Sequence, residues 1–170
     1  MQISRPEQLT HFLTRLGESY PHPAAIYIFG GSAILWLGGQ RNTGDIDYIT
    51  APASASLREA ISQTAAELDL DLEESSPAEF MPLPAGAETR HELIGTFGQI
   101  QAYLFDPYSM AVMKIDRAFD TDMEDVAFLL RAGHISLSAL ERYIEDVASR
   151  YDEPIKLRHN FQEFKRNLQQ

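Results

Sequence analysis

The sequence predicts a mixed α/β (α+β) fold, a mixed sheet flanked by helices with a helical C-terminal half. Three observations carry this. The N-terminal segments alternate between helix-period and strand-sized apolar runs. Two short strand-like runs then meet at Phe97-Gly98, and everything from Asp106 onward has helical spacing. A chain of 170 residues has the size of one ordinary domain, and no repeat or long linker divides it. We therefore read 1–170 as a single domain, with an α/β core over 24–106 and a helical part over 107–170.

Each element has its own signal. Ser4-Arg5-Pro6-Glu7 reads as a serine-capped helix start with proline in the first turn, and Leu9, Phe12, Leu13 and Leu16 form its apolar stripe. Tyr20-Pro21-His22-Pro23 ends it. Ala25–Phe29 reads as a buried strand, and Ser32–Leu37 as a short helix stopped by Gly38-Gly39, with Trp36 in the core. Ile46–Thr50 is the second strand, with Tyr48 facing the core. Ser56 to Glu59 has the form of a capping box ahead of Leu57, Ile61, Ala65 and Leu68. Leu70–Leu72 is a short strand candidate. Residues 73–89 read as a long loop holding at most one short strand around Phe80–Leu83.

His91–Thr96 and Gln99–Phe105 predict a hairpin. Asp106-Pro107 caps the next helix, which carries Ala111, Val112 and Ile115. Thr121–Glu124 reads as a capping box before Val126, Leu129 and Leu130, with Gly133 as the stop. Ser136 caps Leu137, Leu140, Ile144 and Val147. A last helix around Leu157, Phe161, Phe164 and Leu168 reads either as a docked tail or as a partner-binding arm.

Composition narrows the class. Net charge is −11, which fits solubility or a basic partner protein and argues against broad tracking of nucleic-acid phosphates. The chain has no cysteine, so disulfides and thiolate zinc sites are excluded. The five histidines show no ligand spacing. No apolar run reaches membrane-spanning length and no secretory signal is visible, so the expected location is cytoplasmic, without membrane association.

Chemistry concentrates in one stretch. Gly30-Gly31-Ser32 follows the first strand, and Asp45-Ile46-Asp47 opens the second, with twelve residues between Ser32 and Asp45. Residues two apart on a strand share a face, so Asp45 and Asp47 project together beside a glycine turn. The glycines allow a ligand close to the backbone, and a phosphate is the natural occupant of a helix start. The Ser32 hydroxyl is a further donor. Paired carboxylates are hard ligands suited to magnesium or manganese, shared with substrate phosphates. Arg41 and Thr43 lie just before the carboxylates, and Arg41 is placed to hold a phosphate oxygen. Taken separately, the glycines read as a turn and the aspartates as a solvated strand edge.

Phe29-Gly30-Gly31-Ser32 with Asp45-Ile46-Asp47-Tyr48 resembles the signature of the DNA polymerase β-like nucleotidyltransferase superfamily. Arg41-x-Thr43-x-Asp45-Ile46-Asp47 is similar to bacterial minimal nucleotidyltransferases and to toxins of the abortive-infection type. A second block, Lys114-Ile115-Asp116-Arg117 followed by Asp122-Met123-Glu124-Asp125-Val126, resembles the lysine and carboxylate pair of those relatives. Met81-Pro82-Leu83-Pro84, Arg90 and Asp106-Pro107-Tyr108 resemble a bacterial branch of the same group, and the likeness spans about residues 24–133.

The resemblance implies a nucleotidyltransferase-like core. Asp45 and Asp47 would bind the metal, Gly30, Gly31 and Ser32 the triphosphate, with Arg41 and Thr43 beside them, and Lys114 a phosphate. Asp122 or Asp125 would position Lys114 or act as a base. The implied reaction moves a nucleoside monophosphate from a nucleoside triphosphate to a protein, RNA or small-molecule acceptor. A protein partner, toxin or antitoxin, is the implied setting.

Read from the residues alone, Lys114 and its acidic neighbours Asp116, Asp120, Asp122, Glu124 and Asp125 equally describe a solvated helix face. Many active members place a third carboxylate on a later strand, where Gln99–Phe105 offers only Gln99 and Gln101. Four outcomes follow: Asp106 substitutes, a helix carboxylate substitutes, only one metal binds, or the fold is an inactive binding module.

Overall fold

The computed structural model describes residues 2–169, which divide into two compact units. The first comprises residues up to Ser76 together with His91–Phe105; the second comprises Pro77–Arg90 and Asp106 onward.

The first unit carries the sheet. Its elements are α1 (Pro6–Ser19), β1 (Ala24–Phe29), α2 (Gly30–Trp36), β2 (Asp45–Ala51), α3 (Ala55–Glu67), β3 (Asp71–Glu74), β4 (Glu92–Phe97) and β5 (Ile100–Leu104). The strand order is β3-β2-β1-β5-β4. β1 runs antiparallel to β2 and parallel to β5, β2 parallel to β3, and β4–β5 is the expected hairpin. β2–α3–β3 is thus a parallel pair joined by a crossover helix. Side-chain alternation sorts the sheet into two faces. Ile26, Ile28, Ile46, Tyr48, Ile100, Ala102 and Leu104 are buried on one face. With Leu9, Phe12, Leu13 and Leu16 of α1 and Leu57 and Ile61 of α3, they form the core of this unit. Asp45 and Asp47 lie on the other face.

Local chemistry shifts several of the predicted boundaries. α1 is capped one residue later than predicted: Arg5 is the cap, and the Gln8 side chain, rather than Glu7, accepts from the Arg5 amide at 3.1 Å. α3 is capped by Ser54, whose Oγ accepts from the Leu57 amide at 3.1 Å, in place of Ser56. α2 begins directly at Gly30. Its end is a Schellman turn, in which the Gly39 amide donates to the Ile34 carbonyl and the Gly38 amide to the Leu35 carbonyl. Trp36 is half-buried, where full burial was expected.

The second unit holds α4 (Pro77–Phe80), a short 3-10 turn (Ala87–Thr89), α5 (Pro107–Arg117), α6 (Asp120–Arg131), α7 (Leu137–Ala148) and α8 (Pro154–Asn167). The loop read over 73–89 holds no strand around Phe80–Leu83 among the described residues. Pro77 starts a single helical turn there instead, and Met81, Pro82, Leu83 and Pro84 follow as irregular chain. Asp106 caps α5 as predicted, accepting from the Tyr108 and Ser109 amides. Ser136 caps α7 as predicted. α6 starts at Asp120 behind Phe119, with no side-chain cap, so the Thr121 box does not form. α5 packs on α6, α7 and α8, and the buried faces Val112/Ile115, Val126/Leu129, Leu140/Ile144 and Leu157/Phe161 fill the core. No described helix is long and apolar enough to cross a membrane.

One close approach in the first unit sets a testable limit. A Cβ placed on Gly17 of α1 would lie 2.3 Å from the Phe97 carbonyl oxygen at the hairpin turn. Backbone cannot yield as a flexible side chain does, so Gly17→Ala is expected to destabilise the protein by about 1–3 kcal/mol. Urea unfolding of the variant against the parent checks this.

Candidate active site

Pairing of β1 with β2 builds the site. The register sets Phe29 opposite Asp47, so the chain leaving β1 at Gly30 passes over the Asp47 side chain. Gly30 has φ +64°, and a Cβ there would fall 1.8 Å from Asp47 Oδ2. Both facts demand glycine. A Cβ on Gly31 would fall 2.6 Å from Thr43 Oγ1 and 3.5 Å from Arg41 Nη2. The double glycine therefore exists to admit the Asp47, Thr43 and Arg41 side chains against the start of α2. Ser32 is buried beneath them, and its hydroxyl donates to the Phe29 carbonyl at 3.1 Å. It can donate to a phosphate only by giving up that bond.

The 41–43 loop is itself held. Thr43 pairs with Ile3 through two backbone hydrogen bonds of 2.9 Å, an isolated bridge outside the main sheet. The Thr43 hydroxyl donates to the Asp45 carbonyl at 3.2 Å and reaches Asp45 Oδ1 at 3.5 Å. Thr43 thus braces the first carboxylate while filling the space left by Gly31.

The third carboxylate comes from β3. Parallel pairing sets Asp47 beside Glu73 and Asp45 beside Asp71. One oxygen each from Asp45, Asp47 and Glu73 lie within 4.8 Å of one another. Like charges placed opposite across strands destabilise a sheet. Half-buried aspartates converging with an exposed glutamate are a donor set compatible with a divalent metal, since hard cations take carboxylate oxygens. Glu73 escaped the sequence reading because the strand was ended at Leu72, before a polar run. The available signal was Asp71-x-Glu73, which repeats the spacing of Asp45-x-Asp47 after a crossover-length helix.

Asp106 cannot take that role. Its carboxylate is fully buried and accepts from Arg90 Nε and Nη2, both at 2.9 Å, as well as from the amides it caps. Arg90 also donates to the Ala85 carbonyl and the Tyr143 hydroxyl, and its guanidinium lies over the Tyr143 ring at 4.4 Å. Asp106 and Arg90 therefore form a structural ion pair of the second unit.

The second unit brings Lys114, Asp122 and Asp125 together. All three are buried, and Lys114 Nζ donates to Asp125 Oδ2 at 2.7 Å and to Asp122 Oδ1 at 3.3 Å. Arg117 adds a bidentate contact to Asp122 at 2.8 and 2.6 Å. The solvated-face alternative does not hold for these three, whereas Asp120 and Glu124 are exposed. Asp116 is half-buried, accepting from the Tyr151 hydroxyl at 3.0 Å and from Lys156 at 3.2 Å. Burial disfavours the Asp122 carboxylate ion, but the Arg117 hydrogen bonds and the Lys114 and Arg117 charges outweigh it and hold Asp122 below the usual carboxylate range.

A family model described as "Nucleotidyltransferase of unknown function (DUF6036)" matches residues 7–169. No curated protein and no solved structure matches the chain.

Two outcomes follow from the buried cluster. Lys114→Met leaves Asp122 and Asp125 buried with less compensation, and is expected to cost about 3–5 kcal/mol in a chemical denaturation experiment. Asp122 has a depressed folded pKa, so its stabilisation is present above its unfolded value, about pH 4, and is lost as pH falls below it. Melting temperatures between pH 6 and pH 3 should fall more steeply for the parent than for Asp122→Asn.

Proposed function

Because the chain belongs to this nucleotidyltransferase family, we propose that it is a magnesium-dependent enzyme that moves a nucleoside monophosphate from a nucleoside triphosphate to a hydroxyl of an acceptor. The carrying observation is the convergence of Asp45, Asp47 and Glu73 beside the Gly30-Gly31 turn. Two carboxylates would leave the metal site short of the usual set; Glu73 offers a third, which favours the enzyme over an inactive module.

In this reading Asp45, Asp47 and Glu73 hold the metal, manganese being an alternative to magnesium. The bound cation supplies charge neutralisation for the triphosphate. The triphosphate would lie against the Gly30-Gly31 turn and Ser32, with Arg41, close to Gly31, pairing with a phosphate oxygen. Thr43 holds Asp45 and the loop in place. Asp122 and Asp125 set the position of the Lys114 ammonium within the second unit. The acceptor oxygen attacks the α-phosphorus, the bond to the β-phosphate oxygen breaks, and pyrophosphate leaves. The hydroxyl proton passes to a carboxylate of the cluster or to solvent. The acceptor class is a protein, an RNA end or a small molecule. A role within a toxin–antitoxin pair rests on the likeness of the Arg41-x-Thr43-x-Asp45-x-Asp47 segment.

Incubation with each labelled nucleoside triphosphate, magnesium and cell extract tests the reading. Label transfer is expected, with a loss on the order of 100-fold or more in Asp45→Ala/Asp47→Ala and a clear loss in Glu73→Gln. Absence of both transfer and a magnesium-dependent thermal shift with nucleotide would sink it.

A further inference from the structure

We infer that the open pocket beside the turn after α2 receives the base of the nucleoside triphosphate; the inference rests on the nucleotidyltransferase reading above. The pocket has a volume of about 580 Å³, within the range that takes a nucleotide-sized ligand. It lies within the first unit and continues from the candidate active site through one residue. Arg41 lines it, and Arg41 Nη2 comes within 3.5 Å of the point where a Cβ on Gly31 would sit. A phosphate paired with Arg41 therefore leaves the rest of a nucleotide at the mouth of this pocket.

The lining suits a heteroaromatic base. Gln40 and Asn42 flank Arg41, and each amide both donates and accepts, as the hydrogen-bonding edge of a base requires. Ser4 adds a hydroxyl of the same dual character. The floor is Leu35 and the Schellman turn, where Gly38 has φ +99° and open space where a side chain would stand. Leu35, Pro6 and the glycine backbone are the apolar part of the lining, against which a ring can pack. Among the described lining residues the charged one is Arg41, whose sign favours a phosphate-bearing ligand.

Titration calorimetry with magnesium separates this inference from the reading beneath it. The probes are ATP, GTP, CTP, UTP and inorganic tripolyphosphate. The parent should bind tripolyphosphate, and one or more nucleotides more tightly. Gln40→Ala/Asn42→Ala should weaken the preferred nucleotide about tenfold, the loss of two hydrogen bonds, and leave tripolyphosphate binding unchanged. Both positions are exposed, so the double variant should melt as the parent does. Gln40→Glu should change the rank order of the four bases, which a folding defect would not do. Unchanged nucleotide affinity in the double variant overturns the inference while leaving the enzyme reading intact. Reduced transfer at saturating nucleotide would then give the pocket to the acceptor. A parent that binds neither tripolyphosphate nor any nucleotide overturns both.

Discussion

The contact between the Gly30 backbone and the Asp47 carboxylate is the constraint around which the sheet unit is arranged. It follows from strand register: with Phe29 opposite Asp47, the turn out of β1 must cross that side chain. Any residue with a Cβ at Gly30 would displace Asp47, and any at Gly31 would displace Thr43. Thr43 in turn braces Asp45 and is tied to Ile3. Register, turn, loop and carboxylates are therefore one mechanical set. A slip of one residue between β1 and β2 would send both aspartates to the core face. Ile46 and Tyr48, buried on that face, oppose such a slip.

The helical unit solves a different problem. It buries Asp106, Lys114, Asp122 and Asp125, groups that are costly to remove from water unless their charges are matched. Arg90 answers Asp106 with two parallel hydrogen bonds, and its guanidinium face is covered by Tyr143. Lys114 and Arg117 answer Asp122, and Lys114 also answers Asp125. Such clusters contribute less to net stability than to uniqueness of arrangement, because few packings satisfy every charge at once.

Much of this was legible in the residues. The Gly30-Gly31 turn, the shared face of Asp45 and Asp47, the β4–β5 hairpin, and the caps at Asp106 and Ser136 are local signals, and the chain honours them. Cap positions at Arg5 and Ser54 were displaced because several polar residues there offer similar local bonds. Glu73 was hidden for a deeper reason. Its place beside Asp47 depends on a parallel pairing across α3, a non-local register at which the Asp71-x-Glu73 spacing only hints. The same holds for Arg90, whose partner Asp106 lies beyond a hairpin that belongs to the other unit.

That interleaving bears on how the protein is made. Synthesis delivers residues 77–90 before the hairpin and well before Asp106. The growing chain can close its five-stranded sheet once β5 has emerged. Throughout that interval Arg90 and its short segment belong to a unit whose remaining members do not yet exist. The strands of the sheet are thus all available before the helices of the second unit, which can be completed only after Asp106 and the chain beyond it have been made. Arg90 waits longest for its partner, since Asp106 is the first residue of the returning chain and the carboxylate it pairs with in the finished unit.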